Sequence, residues 1–76
     1  MLLVCVLIRT SHGKDSDVVR SLGKLEGVKR IFPVLGRYDV VVDLEVSDFK
    51  KLGKTIMRMG SFYGVVFTET LIEIQR

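Results

Sequence analysis

At 76 residues the chain can form one small domain, and its net charge of +3, spread over interspersed acids and bases, argues only weakly for nucleic acid. One cysteine excludes an internal disulfide, and one cysteine and one histidine fall short of the four ligands of that kind that a structural zinc site needs. Because a domain of this size buries only ~60% of its unfolded surface, and 47% of these residues are hydrophobic, self-association remains as the source of added stability.

The first predicted element is a central strand over residues 2–9. These residues are almost all aliphatic and do not alternate with polar ones, which is typical of a strand with both faces buried. The run is far too short to span a bilayer, and it lacks a basic leader and a small-residue cleavage site. Together with the lone thiol of Cys5, this points to a reducing cytosol.

A first helix is predicted after a turn over residues 11–14. Asp15 and Asp17 favour its beginning, because negative charge suits the positive end of the helix dipole. Gly27 is expected to end this helix.

A hairpin is predicted to follow. Its first strand covers residues 28–35 and contains Pro33, which cannot donate to a ladder and therefore indicates an edge strand. Gly36 then turns the chain into a third strand over residues 38–46, in which one face is apolar and the other carries acidic residues.

The second helix is predicted to begin after Ser47, a favourable N-cap residue, and to end at Gly60. Its apolar face is predicted to consist of Phe49, Leu52, Ile56 and Met59. Gly53 is expected on the same packing face, where it would let the helix approach the sheet. A last strand is predicted over residues 65–75.

The predicted order is therefore β-α-β-β-α-β, with the junctions Gly27-Val28 and Gly64-Val65 repeating 37 residues apart. Two right-handed β-α-β halves give a ferredoxin-like α+β fold whose four-stranded antiparallel sheet has the order 4-1-3-2. Both helices then cover one face of the sheet. The other face is also apolar, so we predict at least a dimer packed sheet to sheet.

Two polar pairs at strand ends are the candidate binding residues. Tyr38 and Asp39 follow the Gly36 turn, whereas Thr68 and Thr70 lie two apart on the last strand and therefore share a face. This set would suit a small zwitterion, with Asp39 binding the ammonium group. A purely structural role stays open, since turn aspartates accept local N–H groups and threonine is common in strands for steric reasons.

No catalytic set is recognised, and we predict no catalytic residue, metal ligand or cofactor. His12 is the sole imidazole and lies in a turn, with no nucleophile or acid at a known spacing. Lys50, Lys54 and Arg58 recur four apart on the second helix, which usually marks a solvated face and would otherwise suit an acidic or nucleic-acid partner. An RNA-recognition motif is set aside, because the first strand carries no aromatic residue.

Three motifs give the chain a resemblance to a known family: Gly36-Arg37-Tyr38-Asp39, Gly64-Val65 and Thr68-Glu69-Thr70-Leu71. In these motifs, and over nearly its whole length, it resembles the effector-binding domain of the Lrp/AsnC transcription regulators, the domain for regulation of amino-acid metabolism. The resemblance implies a dimeric α/β barrel whose dimers form rings, often octamers, with amino acids bound between dimers. The ligand-contacting positions it implies are Gly36, Arg37, Tyr38, Asp39, Thr68 and Thr70.

Lrp/AsnC regulators usually carry an N-terminal helix-turn-helix domain, whereas this chain begins at its first strand. We therefore expect one domain over residues 1–76, resembling the stand-alone form, that binds an amino acid in the cytoplasm and co-assembles with full-length regulators. Direct sequence-specific DNA binding and membrane contact are not expected. Two alternatives stay open: a structural oligomerisation adaptor without a ligand and, less favoured, a small dimeric α/β-barrel enzyme, for which only His12 and Asp39 would be available.

Overall fold

The computed structural model describes residues 1–74 and has the predicted order of elements. These are β1 (Leu2–Thr10), α1 (Asp15–Leu22), β2 (Val28–Pro33), β3 (Val40–Val46), α2 (Phe49–Ser61) and β4 (Val65–Ile72). The strands form an antiparallel sheet in the order β2-β3-β1-β4, which is the predicted order read from the opposite edge. The ferredoxin-like α+β fold is therefore confirmed. The last strand ends at Ile72, earlier than predicted, and residues 73 and 74 lie beyond it; the predicted end at residue 75 lies outside the described residues.

The two helices cover one face of the sheet and form the core with it. The buried apolar residues are Val4, Val6, Ile8, Val18, Leu22, Val40, Val42, Leu44, Val46, Leu52 and Met59. They alternate along β1 and β3 because successive side chains of a strand point to opposite faces. Leu22 of α1 and Met59 of α2 are completely buried, so each helix is anchored to the sheet near its C-terminal end.

The first helix is shorter than predicted. It ends at Leu22, and the N–H of Gly23 donates to the Val19 carbonyl at 3.1 Å. Two turns then lead to Gly27, which has a φ of +94° and lies just before β2. The prediction that Gly27 ends the helix was wrong, because its left-handed backbone serves the turn into the strand instead.

The strands of the hairpin are also shorter than predicted. Strand β2 ends at Pro33 rather than at residue 35, and β3 begins at Val40 rather than at residue 38. Pro33 lies on an edge strand, as predicted, because β2 is the outermost strand on its side of the sheet. The residues between Pro33 and Val40 form a longer turn than the sequence indicated.

The cap of α2 is Asp48 rather than the predicted Ser47. The Asp48 Oδ1 atom accepts a hydrogen bond from the Lys51 N–H at 2.8 Å, which satisfies one of the free N–H groups at the start of the helix. At its other end the helix continues through Ser61, one residue beyond Gly60. Both residue types cap helices well, so the sequence alone could not decide which of the two neighbours occupies the capping position.

Replacing Asp48 by alanine is expected to destabilise the protein by about 1 kcal/mol, the usual cost of losing a helix N-cap. Ser47→Ala is the matched control and should change the free energy of unfolding by less than about 0.5 kcal/mol, since its hydroxyl contacts only the Asp48 side chain at 3.4 Å. Urea unfolding of both variants at one protein concentration measures the difference. Equal effects of the two substitutions would contradict the assignment of the cap.

The buried face of α2 also differs from the prediction. Phe49 is 66% exposed, and no atom lies within 4 Å of a Cβ built on Gly53, so neither packs on the sheet. Thr55 is buried in their place, and its hydroxyl donates to the Lys51 carbonyl at 3.0 Å. That bond to the preceding turn satisfies the hydroxyl, which allows a polar residue to occupy the buried face.

Candidate functional site

The turn between β2 and β3 carries four of the predicted site residues: Gly36, Arg37, Tyr38 and Asp39. Its base is closed by the Val34 N–H, which donates to the Asp39 carbonyl at 2.8 Å. Gly36 has a φ of +152°, a conformation that L side chains rarely adopt. Gly36 and Arg37 are exposed, whereas Tyr38 and Asp39 are half-buried. The last two therefore turn back toward the sheet.

The Asp39 carboxylate joins this turn to the end of β1. Its Oδ2 atom accepts a hydrogen bond from the Thr10 N–H at 2.7 Å, and its own N–H donates to the Ile8 carbonyl at 2.8 Å. The side chain thus fulfils the structural role considered for a turn aspartate. The other carboxylate oxygen, Oδ1, does not take part in the hydrogen bond with the Thr10 N–H.

Tyr38 contacts Glu69 on β4. The Tyr38 hydroxyl donates to the Glu69 carboxylate, and this hydrogen bond raises the pKa of Tyr38. Arg37 and Arg9 lie close enough for their positive charges to act on the same phenol in the opposite direction. Tyr38 is therefore surrounded by both signs of charge, which can complement a zwitterion. Sequence reasoning missed Glu69, although it lies between the two threonines that were selected.

Thr68 and Thr70 are not brought to this cluster. In the β1–β4 ladder they stand opposite Ile8 and Val6, so they share the helix-covered face of the sheet. Glu69 stands opposite Leu7 and lies on the other face. The structure therefore separates the predicted set into Tyr38 with Glu69 on one side of β4, and the two threonine hydroxyls on the other.

The sheet face away from the helices, which we call the open face, is uncovered in the single chain. It is formed by Leu3, Cys5, Leu7, Arg9, Arg30, Phe32, Val41, Asp43, Glu45, Phe67, Glu69 and Leu71. Phe67 is 53% exposed, Leu71 48% and Leu3 39%, whereas Cys5 and Leu7 are half-buried. Both faces of β1 are apolar, as predicted, but the chain covers only one of them.

The charges on the open face are largely paired. Arg30 lies 3.8 Å from Asp43, and Lys29 at the rim lies 3.6 Å from Glu45. The Arg30 guanidinium also stands over the Phe32 ring, 4.6 Å from its centroid. These charged side chains are still partly exposed to water in the single chain.

A cavity of about 490 Å³ lies on the open face, at the end of the sheet opposite to Tyr38. Its lining includes Leu3, Cys5, Asp43 and Leu71, and none of the predicted site residues. Burial, followed by the negative charge of Asp43, raises the pKa of the Cys5 thiol. The thiol is therefore weakly nucleophilic, as expected for a structural cysteine.

Within residues 1–74, no three His, Cys, Asp or Glu side chains stand close enough together to hold a metal ion. The same part of the chain contains no helix with the length and hydropathy that crossing a membrane requires.

Comparison with curated proteins finds transcription regulators. The chain is 30% identical over 74 residues, 97% of its length, to the HTH-type transcriptional regulator FL11 of Pyrococcus abyssi. The match covers 49% of that protein, so the chain spans about half the length of the curated relatives it matches. No protein-family model matches the chain.

Solved structures share the fold over nearly the whole chain. The crystal structure of TTHA0845 from Thermus thermophilus has a TM-score of 0.94 and 27% identity, with 100% of this chain and 96% of that one covered. AsnC of E. coli has a TM-score of 0.91 at 18% identity over 99% of this chain and 52% of its own. A transcriptional regulator of Neisseria meningitidis in complex with L-Met has a TM-score of 0.87 at 18% identity over 97% and 50%. At 18% identity these last two similarities concern the fold alone.

Proposed function

Because this chain is a regulatory-type domain of the Lrp/AsnC transcription regulators, we propose that it binds an amino acid and oligomerises, and so modulates transcription of amino-acid metabolism together with other regulators. The observation that carries the proposal is the position of the Tyr38–Asp39 turn, whose polar groups stand at the end of an uncovered apolar sheet face. A ligand there would contact the same region that a second copy would cover. Binding and assembly would thereby be coupled.

The oligomer of this proposal is built from the open face. An uncovered apolar sheet face in water marks an interaction surface, and a second copy supplies an identical face without any further gene product. Dimers formed in this way would join into a higher ring, such as the octamer that the family resemblance implies. Full-length regulators of the same fold could enter the ring, which is the proposed route to a promoter for a chain that itself makes no sequence-specific DNA contact.

The ligand site of this proposal is the turn with its neighbours. Asp39 and Glu69 supply negative charge for the ammonium group, and Arg37 with the backbone N–H groups near Gly36 would receive the carboxylate. The L-Met complex of the Neisseria regulator supports an amino acid as the ligand class, since that protein shares the fold.

Thr68 and Thr70 lie on the helix side of β4, so in this proposal their hydroxyls would contact an amino acid bound between dimers rather than complete the Tyr38–Asp39 turn of their own chain. The proposed compartment is the cytoplasm, which the single thiol, Cys5, supports.

Asp39→Asn tests the site directly. The asparagine oxygen can still accept the Thr10 N–H, so the turn should persist while the negative charge is lost. Removing a hydrogen bond to a charged group costs about 1.5–3 kcal/mol, so the affinity for the amino acid should fall about 10- to 150-fold. Calorimetric titration of both proteins against each common amino acid measures this, with Asp17→Asn on α1 as the control.

Oligomer mass is measured in parallel by light scattering and should be the same for all three proteins, because Asp39 contributes no apolar contact to the open face. If the wild type binds no amino acid, the sensing function is wrong and a structural adaptor replaces it. If Asp39→Asn binds as tightly as the wild type, the ammonium group is held elsewhere.

A further inference from the structure

Helix α2 has an outward surface that the fold does not use. Lys50, Lys54 and Arg58 form a row four residues apart, and Phe49, Gly53 and Met57 form an adjacent row displaced by one residue. We call these six residues the α2 outward face. All six are exposed, Phe49 by 66% and Met57 by 77%. The side of the helix that faces away from the sheet therefore has an apolar row of its own beside a row of basic residues.

The charge of the chain is concentrated on this helix. Its 13 residues include four of the 12 basic residues and none of the nine acidic ones, which leaves eight basic and nine acidic residues elsewhere. Lys51 lies 3.5 Å from Glu26, whereas no ion pair within residues 1–74 engages Lys50, Lys54 or Arg58. The cationic row is thus available to an anionic partner.

A groove of about 240 Å³ runs beside the cationic row. It lies between α2 and the loop after α1, and its lining includes Lys54 and Arg58 together with Leu25, Thr55 and the ion pair of Lys51 with Glu26. A half-buried leucine and cations at one groove suit a carboxylate carried on an apolar backbone segment rather than a fully hydrated ion.

Gly53 supports a docking role for the apolar row. A glycine in an exposed helix interior destabilises the helix relative to alanine, and no neighbouring atom within 4 Å requires its small size. Phe49 and Met57 lie about one helical turn before and after Gly53 in the same row, ~12 Å from each other along the helix axis. Gly53 therefore leaves a notch that the fold itself does not fill.

We propose that the α2 outward face docks an acidic amphipathic helix of another protein. Its carboxylates would pair with the cationic row, and an apolar side chain would enter the notch at Gly53. A second α2 is an unsuitable occupant, because it would bring like charges together. Nucleic acid is also less suitable, because a phosphate backbone would leave Phe49 and Met57 exposed to water. The surface is separate from the open face, which lies on the other side of the sheet.

The test uses a synthetic helical peptide of about 18 residues, long enough to span the helix, with glutamates in one row four apart and leucines in the adjacent row. A scrambled peptide of the same composition is the first control. We expect the scrambled peptide to bind the wild-type protein at least about tenfold more weakly than the designed peptide does. The Lys54→Glu/Arg58→Glu protein should bind the designed peptide at least about tenfold more weakly than the wild type does. Arg20→Glu on α1, where the exposed arginine pairs with Asp17, should leave the affinity unchanged. Fluorescence anisotropy measures all four.

Gly53→Gln separates docking from folding. Filling an exposed helical glycine position should raise the melting temperature, since glutamine is the better helix former, while closing the notch should lower the peptide affinity by about tenfold. The proposal is overturned if the scrambled peptide binds equally well, if the peptide does not bind, or if Gly53→Gln leaves its affinity unchanged. It is also overturned if a DNA duplex of about 20 base pairs binds more tightly than the peptide and loses affinity in the same variants.

Discussion

Gly27→Ala is expected to destabilise the domain by about 2–4 kcal/mol, a large part of the total stability of a protein of this size. Gly27 has a φ of +94°, and a Cβ there would lie 2.8 Å from the Glu45 carbonyl oxygen. That oxygen belongs to the backbone of β3, and the Glu45 N–H donates to the Gly27 carbonyl at 2.8 Å. The backbones of Gly27 and Glu45 cannot move apart without breaking this hydrogen bond. The cost of the left-handed backbone and the cost of the steric clash therefore add together.

Two other glycines separate these contributions. Gly13 has a φ of +78° but no atom within 4 Å of a Cβ, so Gly13→Ala should cost only the backbone strain of about 1 kcal/mol. Gly53 is helical and open, so Gly53→Ala should stabilise the protein by up to about 1 kcal/mol. Urea unfolding at a single protein concentration ranks the three variants. A Gly27→Ala protein no less stable than Gly13→Ala would show that the approach to Glu45 is not limiting.

Two glycines, each just before a strand, made the fold predictable from the sequence. Gly27 and Gly64 mark the entrance to β2 and to β4, and both have left-handed backbones, with φ of +94° and +99°. Their spacing revealed two β-α-β halves, and right-handed crossovers then allowed a single strand order. The proline on the edge strand gave an independent check of that order.

Helix α2 shows what the sequence could not decide. Phe49 and Thr55 both lie at helical spacing from Leu52 and Met59. Of the two, the more hydrophobic Phe49 was therefore predicted to be buried against the sheet. The orientation of the helix on the sheet instead buries Thr55, which is possible because Lys51 supplies a backbone acceptor for its hydroxyl. The spacing of the apolar residues is visible in the sequence, but the rotation of the helix about its own axis relative to the sheet depends on tertiary packing.

The candidate site was predictable only in its turn. Tyr38 and Asp39 were found because a glycine turn at the end of a strand is a local signal. The contact from Tyr38 to Glu69 spans 31 residues and depends on the register of β4, which shifts at an irregularity between Arg9 and Thr10. Since a shift of one residue exchanges the two faces of a strand, the sequence could not tell whether Glu69 or its threonine neighbours would meet the tyrosine.

Leu71→Glu is expected to dissociate the proposed dimer. Leu71 is 48% exposed and stands opposite Cys5 on the open-face side of the edge strand β4, so the isolated chain should tolerate the change. In a two-fold symmetric interface each substitution occurs twice, and an unpaired buried charge costs about 3–5 kcal/mol. We therefore expect the dissociation constant to rise by more than about 100-fold. Light scattering at micromolar concentration measures the mass.

Met57→Glu is the matched control, because it places the same charge on another exposed apolar residue but on the helix side of the molecule. A folded wild-type monomer at micromolar concentration would contradict the dimer itself. A dimer that survives Leu71→Glu but not Met57→Glu would move the interface to the helices, and the amino-acid site at the end of the open face would then lose the second copy proposed to cover it.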